Sequence, residues 1–494
     1  MAKSSTKSTK TSTKITVRKK NSVLFIASEA NPFAGTGGLA DVIGSLPKAL
    51  ATDKNLDIRV VIPLYKDFST IYRDKLRFSG NFNVPLSWRN QYCGLFEYEY
   101  EGVKFYFLDN EYYFKRDGFY GFYDDGERFA FFSKAALELM KFIDFYPNVV
   151  HAHDWQSALS VIYLKTLFKY EYGYDKIKTM FTIHNIEYQG KFSKDIIGDV
   201  FGLSDEVYPI LEHDNCVNLL KGAMVLTDIL STVSPTYASE IKYDYFSHGL
   251  SGVVSSVENK TVGILNGIDQ TVYNSELDTK LFKNYTALDL SGKKVCKSEL
   301  QKMLGLPVKE NVPVICMISR LVGHKGVDLL KCVINDLLYE NVQLVILGKG
   351  EKQYEEFFSK VQEEYPTKCR AVIAYNKDLS SKIYSGADVF LMPSKQEPCG
   401  LSQMIAAKYG TIPVVRKTGG LADSITPYNV NRDSGNGFRF DNYNAHEMLF
   451  VLKDAISTYQ DKEVWNNLVI SAMQTDFSWD KSAVEYKKIY KQLI

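Results

Sequence analysis

The sequence predicts an α/β protein made of two doubly wound domains, each built on a parallel sheet. Short apolar segments alternate with helical patterns in the first half of the chain and again in the second half, which is typical of such sheets. The hexapeptide TGGLAD also occurs in both halves, at 36–41 and 418–423. We therefore expect one glycine loop in each domain. Two such loops facing a shared interdomain cleft would contact one ligand from both sides.

Length and composition agree with this organisation. A chain of 494 residues is too long for one hydrophobic core. Its 45% hydrophobic and 24% charged residues are ordinary for a globular protein. No run of about 18 apolar residues occurs, so no membrane span is expected.

The basic residues are unevenly placed. Residues 1–20 hold seven Lys/Arg and no acid, which leaves 52 basic and 58 acidic residues in the rest of the chain. This acidic body argues against a nucleic-acid partner. The segment 1–20 is low in complexity and lacks aromatic residues, so we expect a disordered basic tail without the apolar core of a secretory signal. Three interpretations of this segment stay open: a solvated tail, an organelle-targeting segment and a tether to a polyanion.

The seven cysteines are scattered along the chain and form no CxxC pair. This spacing argues against a disulfide framework and against a structural zinc site. A reducing compartment fits it best, which predicts the cytoplasm or a plastid stroma.

The first domain is expected over 21–267. Apolar segments that end in polar or turn residues predict its buried strands, at 22–29, 56–65, 148–155, 177–185 and 229–235. Ligands collect at the carboxyl ends of such strands. The polar residues found there are His153, Asp154, His184, Asn185 and Ser234. A histidine in this position is also commonly a packed hydrogen-bonding residue, and HAHD lacks the further ligands of a metal site.

The second domain is expected over 305–475, after a polar, lysine-rich linker at 268–304. Its strands are predicted at 312–321, 342–350, 369–375, 387–394 and 411–420. The segment 476–494 should form a terminal helix that Asp480 caps and that packs back on the first domain. Its apolar residues recur at helical spacing, at Ala483, Tyr486, Ile489 and Tyr490.

The glycine pairs suggest contact with phosphate. Glycines between a strand and a helix let backbone N–H groups approach an anion at the positive end of the helix. A simple turn that closes the strand–helix connection is the alternative. Neither copy fits GxGxxG or GxxxxGK[ST], so hydride transfer and P-loop hydrolysis are disfavoured.

Two cations and a carboxylate follow strands of the second domain. Arg320 and Lys325 are five residues apart and could neutralise a diphosphate leaving group, although solvated surface cations are the common alternative. Glu397 could bind sugar hydroxyls or lie beside an anomeric carbon, or be a surface residue before a turn. Cys399 has no adjacent histidine, which favours a structural cysteine over a nucleophile.

Together these motifs resemble the bacterial glycogen synthase and plant-type starch synthase family. The resemblance spans about 22–485 and implies a GT-B fold with two Rossmann-like domains. It also implies transfer of glucose from ADP-glucose to the non-reducing end of an α-1,4-glucan or malto-oligosaccharide, with retention and without a metal or other cofactor. The motifs that carry it, in family order, are SEANPFAGTGGLADVIGSLPKAL, HAHDW, TIHNIEYQG, VSPTYA, ILNGID, SRLVGHKG, MPSKQEPCGLSQM, KTGGLAD and FSWDKSA.

The resemblance also implies roles for individual residues. Those expected to be catalytic are His184, Arg320, Lys325 and Glu397. Those expected to bind the donor are Gly37, Gly38, Asp41, Asn266, Tyr375, Cys399, Gly400, Leu401, Thr418, Gly419, Gly420 and Leu421. Those expected to line the acceptor side or the cleft are Glu29, Asp154 and Asn185.

The chain departs from the family pattern at three positions. Gly35 stands where the family usually has a lysine that contacts the donor phosphates, and Lys395 and Gln396 replace its usual Arg-Phe pair. Loss of one charge-assisted contact costs about 1.5–3 kcal/mol. There are therefore four alternatives. The first two are a catalytically weakened or donor-retuned relative and a UDP-glucose enzyme. The others are a non-catalytic binding protein and another retaining GT-B transferase or phosphorylase. The sequence indicates no oligomeric state.

Overall fold

The computed structural model describes residues 20–429 and 434–494, so the expected tail at 1–20, except its last residue, lies outside the described residues. It confirms an α/β protein with two sheet-based domains. Its strands are β1 (Asn21–Ile26), β2 (Leu56–Pro63), β3 (Arg77–Leu86), β4 (Arg89–Tyr100), β5 (Val103–Asp109), β6 (Val149–His153), β7 (Lys178–Ile183), β8 (Lys191–Phe192), β9 (Glu212–His213), β10 (Cys216–Asn218), β11 (Ile229–Thr232), β12 (Thr261–Gly263), β13 (Val314–Ile318), β14 (Gln343–Leu347), β15 (Cys369–Val372), β16 (Val389–Met392), β17 (Ile412–Arg416) and β18 (Phe438–Phe440).

Helices connect these strands, as expected for doubly wound domains. The α-helices are α1 (Gly38–Ala51), α2 (Thr70–Arg73), α3 (Glu111–Phe114), α4 (Asp125–Phe142), α5 (Trp155–Lys165), α6 (Ile196–Asp199), α7 (Tyr208–Leu211), α8 (Leu219–Leu226), α9 (Pro235–Glu240), α10 (Asp244–Ser247), α11 (Ser251–Ser256), α12 (Ser291–Met303), α13 (Val327–Tyr339), α14 (Lys352–Glu364), α15 (Lys377–Gly386), α16 (Ser402–Lys408), α17 (Gly419–Ser424), α18 (Ala445–Gln460), α19 (Lys462–Gln474) and α20 (Trp479–Leu493). Short 3₁₀ turns lie at Asp205–Val207, Glu258–Lys260 and Gly323–Lys325. No helix of the described chain combines the length and apolarity that crossing a bilayer requires.

The first sheet has the strand order β12-β11-β7-β6-β1-β2-β5-β4-β3. The strands from β12 to β5 pair in parallel, with Val23 beside Val149 and beside Ile58. Continuous apolar runs form these strands because both faces are covered, and Val23 and Val149 are fully buried. The order reverses where β1 meets β6, so the crevice at the carboxyl ends of these two strands is the expected ligand site.

An antiparallel edge extends this sheet, and the sequence analysis did not predict it. β3 pairs with β4 and β4 with β5, through a register shift between Phe78 and Gly80. A second, small sheet has the order β8-β10-β9.

The second sheet has the order β15-β14-β13-β16-β17-β18, and all its strands are parallel. Its order reverses between β13 and β16. The crevice there lies at the carboxyl end of β13, close to Arg320, and at that of β16, close to Glu397. The fold thus places both expected catalytic groups at a single switch point.

The predicted linker at 268–304 is not all linker. Its last part forms α12, which belongs to the second domain: Lys297 Nζ lies 2.7 Å from Asp388 Oδ2, next to β16. Lys293 Nζ donates to the carbonyls of Ala387 and Tyr409. Burial of Lys293 lowers its pKa to about 8. These lysines anchor the helix from within, so the lysine-rich composition was a misleading sign of a linker.

The terminal helix α20 packs against α1 of the first domain. Ser478 caps it by accepting a hydrogen bond from Lys481 N, so the prediction that Asp480 is the cap is wrong by two residues. Tyr490 reaches the buried His151 of β6, with 2.8 Å between the hydroxyl and Nδ1. The last helix therefore completes the core of the first domain.

Candidate active site in the interdomain cleft

The first glycine loop presents free backbone donors. Gly37 is the N-cap of α1 and Gly38 its first residue. The N–H groups of these two glycines donate to no atom of the described chain, and a Cβ built on either would meet nothing within 4 Å. Glu29 holds the loop by accepting from Thr36 N (2.5 Å) and Thr36 Oγ1 (2.8 Å). The loop thus offers two N–H groups at a helix N-terminus to the open cleft.

Asp41 lies in the first turn of α1, with Asn31 as its hydrogen-bond donor. Asn31 Nδ2 is 2.6 Å from Asp41 Oδ1. Burial raises the pKa of Asp41, while the hydrogen bond from Asn31 and the positive charge of Lys377 oppose the rise. Lys377 belongs to the second domain, so Asp41 feels a charge from across the cleft.

Gly35 occupies a position without room for a side chain. A Cβ there would lie 2.4 Å from Ala40 Cβ and 2.7 Å from Asn31 Oδ1. The Asn31 side chain that holds Asp41 therefore fills the space a larger residue 35 would need. Glycine at this position therefore has a packing reason in addition to the missing charge.

The carboxyl ends of β6 and β7 bring a carboxylate and two imidazoles together. Asp154 Oδ1 accepts from His184 N at 2.7 Å, and the backbone of Asn185 also donates to this carboxylate. Burial raises the pKa of Asp154 to about 7. His184 Nε2 lies 3.0 Å from His153 Nδ1, and burial lowers the pKa of His184 to about 3. His184 is therefore neutral at physiological pH and serves as a hydrogen-bonding group rather than as a cation.

The predicted cations lie at the carboxyl end of β13. Lys325 Nζ is 2.6 Å from Glu397 Oε2, and Ser394 Oγ donates to the same oxygen at 3.0 Å. Arg320 is exposed and makes no hydrogen bond through its side chain within the described chain. Lys325 and Glu397 are thus paired, while Arg320 is free to bind an anion.

The EPCGL segment lies between Glu397 and the second glycine loop. Burial raises the pKa of Cys399 to about 12, which excludes a reactive thiolate and agrees with a structural cysteine. Gly400 has a φ of +70°, and a Cβ there would lie 2.6 Å from Gln403 Oε1. Leu401 is the N-cap of α16. The Oδ1 of Asn266 is buried and has no hydrogen-bond partner in the described chain, although the backbone of this residue contacts Cys399.

The second glycine loop has a different role from the first. Glu240 of the first domain accepts from Thr418 Oγ1 (2.9 Å) and from Gly419 N (3.0 Å). The N–H of Gly420 donates to the carbonyls of Glu397 and Pro398, and those of Thr418 and Leu421 donate to other backbone carbonyls. All four N–H groups have partners within the described chain, and this copy joins the two domains. Its contact with the donor stays a prediction.

Further hydrogen bonds close the cleft near this junction. Ser234 Oγ donates to Pro398 O at 2.8 Å, and Asp423, the last residue of the second TGGLAD, accepts from Thr236 N and Oγ1. Gln396 donates to Phe246 O at 3.0 Å. The departure at residue 396 thus adds a contact between domains.

Tyr375 follows β15 and is 85% exposed, so its ring is available to a planar ligand group. Sequence reasoning did not assign Asn31, Glu240 or Lys377 to the site. One sequence signal points to Glu240: it lies just after the VSPTYA motif, at the end of α9. Within 20–429 and 434–494, no three His, Cys, Asp or Glu side chains are arranged to hold a metal ion.

Comparison with known proteins gives the same picture. Residues 22–256 match a family model described as the starch synthase catalytic domain, and 301–467 match one described as glycosyl transferases group 1. Similar chains include glycogen synthases from Desulforamulus reducens, 47% identical over 96% of this chain and 98% of that one, and from Bacillus cereus strain Q1, 46% identical over 96% and 99%.

Two solved structures are informative. The catalytic domain of starch synthase IV from Arabidopsis thaliana, bound to ADP and acarbose, is 34% identical with a TM-score of 0.88, over 96% of this chain and 99% of that one. Sucrose-phosphate synthase from Thermosynechococcus elongatus is 14% identical with a TM-score of 0.58 over 96% and 99%. The second likeness is one of fold.

Proposed function

We propose that this chain, a glucan-forming glycosyltransferase of the glycogen and starch synthase family, uses ADP-glucose as its donor. Its acceptor is the non-reducing end of an α-1,4-glucan or malto-oligosaccharide. The identity with glycogen synthases over nearly the whole chain carries this proposal. It also favours glucan synthesis over the weakened, non-catalytic and small-acceptor alternatives. The starch synthase IV structure, which holds ADP and acarbose, supports the same donor and acceptor classes.

The diphosphate is assigned to Arg320, Lys325 and the first glycine loop. Within the residues that the structure describes, the Arg320 side chain is unpaired and the N–H groups of Gly37 and Gly38 are free. Donors already in place where negative charge develops stabilise a departing diphosphate without reorganisation. Lys325 also holds Glu397, so the same ammonium group can turn toward the phosphate as the donor enters.

The donor glucose is assigned to the space between Glu397 and His184. A carboxylate stabilises positive charge at the anomeric carbon, and a neutral imidazole can donate to a sugar hydroxyl. In the proposed step the bond from the anomeric carbon to the diphosphate breaks and the bond to the glucan O4 forms on the same face. The proton of O4 passes to the departing phosphate oxygen.

We also propose that transfer needs no metal, because Arg320 and Lys325 supply positive charge at the diphosphate. Equal rates with and without EDTA are expected. A reducing compartment such as the cytoplasm is proposed for the protein, since all seven cysteines are free thiols.

The test is incorporation of labelled glucose into glycogen from ADP-glucose and, separately, from UDP-glucose. Label should enter the polymer from ADP-glucose at the higher kcat/KM, and Glu397→Gln should abolish most of it. Lys325→Ala should also lower the rate, and Lys352→Ala is its matched control because Lys352 is an exposed lysine of the same domain. No incorporation from either nucleotide sugar would refute the proposal.

A further inference from the structure

His153, the last residue of β6, is fully buried, and two aromatic rings pack against its ring. The ring stacks on Phe25 at a centroid distance of 5.5 Å and an interplanar angle of 14°. The His151 ring packs against it at a centroid distance of 4.1 Å and an angle of 35°, and lies 4.8 Å from the Phe25 ring. A ring packed in this way cannot rotate without displacing its neighbours. The direction of its Nδ1 atom is therefore fixed.

That atom faces His184, at 3.0 Å from Nε2. The other nitrogen of His153, Nε2, is buried and has no partner in the described chain. The Nδ1 of His184 makes no hydrogen bond within the described chain and is not among its buried unpaired atoms. One nitrogen of His184 is thus held by the protein, and the other is accessible.

Two proton arrangements satisfy the 3.0 Å contact, because burial lowers the pKa of both rings and keeps them neutral. If His184 donates from Nε2, His153 must carry its proton on Nε2, as a buried N–H group without an acceptor. If His153 donates from Nδ1, its Nε2 is a buried acceptor without a donor. Orphaned buried N–H groups are the rarer of the two defects. The second arrangement is therefore favoured.

We propose that His153 is a positioning residue that donates from Nδ1 to His184 Nε2 and thereby fixes His184 as the Nδ1–H tautomer, with that N–H directed to the donor sugar in the cleft. The inference rests on the proposed function. His184 can then only donate to a sugar hydroxyl at this point, and a sugar lacking that hydroxyl leaves the N–H unpaired. His153 thus acts on sugar selection through His184 without touching the sugar.

Hydrogen bonds hold the neighbouring His151 ring in place. His151 contacts Thr182 Oγ1 through Nε2 (2.6 Å) and the Tyr490 hydroxyl through Nδ1 (2.8 Å). Both nitrogens of His151 are therefore occupied, and it has none left for His153. His184 is the one partner of the described chain within hydrogen-bond distance of the His153 ring nitrogens.

The experiment measures the tautomer directly, by ¹⁵N NMR of the full chain labelled at histidine, with His184→Gln used to assign the His184 signals. The wild-type spectrum should show His184 protonated at Nδ1. His153→Phe keeps an aromatic ring and removes the donor, so the His184 Nε2 signal should shift as that hydrogen bond is lost, and kcat should fall by about 2- to 10-fold. His153→Asn, which retains an N–H donor, should recover part of that loss.

Tyr490→Phe is the control for a merely structural effect. It removes the hydrogen bond to His151 but keeps the ring, so the His184 tautomer should be unchanged. An Nε2–H tautomer in the wild type, or an unchanged His184 Nε2 signal in His153→Phe, would overturn the inference even if glucose transfer is normal. Absence of transfer with the expected tautomer would instead count against the proposed function. The wild-type spectrum decides the matter even if a variant does not fold.

Discussion

Gly35→Ala tests whether packing, rather than missing charge, explains the glycine in front of the first loop. The added methyl would lie 2.4 Å from Ala40 Cβ and 2.7 Å from Asn31 Oδ1, whereas carbon atoms rest at about 3.5–4.0 Å. More than 1 Å of movement is needed, and overpacking of this kind costs about 1–3 kcal/mol. Relief must displace either the start of α1 or the Asn31 side chain that holds Asp41.

The cost should appear in both stability and turnover. If the whole overpacking cost destabilises the donor-bound state, kcat/KM drops by roughly 5- to 150-fold. Gly35→Lys adds a cation to the same packing change, worth about 1.5–3 kcal/mol, and should have a higher kcat/KM than Gly35→Ala. Steady-state transfer kinetics and thermal unfolding measure the two quantities.

The matched control is Gly37→Ala, in the same loop, where an added Cβ meets no atom within 4 Å. It should leave the melting temperature unchanged and raise KM for the donor, because the methyl enters the space above the free N–H groups. Asn31→Ala combined with Gly35→Ala removes one of the two close contacts and should recover part of the stability loss. Wild-type kinetics and melting temperature in Gly35→Ala would refute the reasoning.

Three further predictions concern the ion pair, a buried acid and the domain junction. Lys325→Ala should lower kcat by about 100-fold and also reduce the melting temperature, since it leaves Glu397 buried without its cation; a change in KM alone would contradict it. Burial raises the pKa of Asp154 to about 7, so its contribution to stability is complete below about pH 4 and is lost as the pH rises through 7. Denaturant unfolding at pH 5 and pH 8 should show this loss in the wild type, and an equal loss in Asp154→Asn would exclude that residue as its source. Glu240→Gln weakens the bonds to Thr418 and Gly419, and small-angle scattering should then give a larger radius of gyration without ligand; an unchanged radius would argue against a role in closure.

The parallel sheets were predictable because both of their faces are buried, which produces the continuous apolar runs at β1, β6 and β13. The edge formed by β3 and β4 was not predicted. In β3 exposed residues alternate with less exposed ones from Asn81 to Leu86, and Phe78 and Tyr92 are among the exposed aromatic residues of the edge. An alternating aromatic segment of this kind lacks the continuous signal on which the prediction depended.

The positions of site residues were predictable where those residues directly follow a parallel strand. His184 and Asp154 follow neighbouring parallel strands, and the structure brings them to 2.7 Å. The second glycine loop was not predictable, because the acceptor of the Gly419 N–H is Glu240, which lies 179 residues earlier in the chain. Two identical hexapeptides thus acquire different roles from partners that local sequence does not reveal.

The contact between His151 and Tyr490 has a consequence for the order of synthesis. The two residues are 339 positions apart. At about 5–20 residues per second, a ribosome needs roughly 20–70 s to make the intervening chain. During that interval the nascent first domain lacks the helix that covers α1 and the hydroxyl that pairs with the buried imidazole. Its final packing therefore waits until the second domain has been translated, and a nascent chain released before α20 would expose apolar surface to chaperones and proteases.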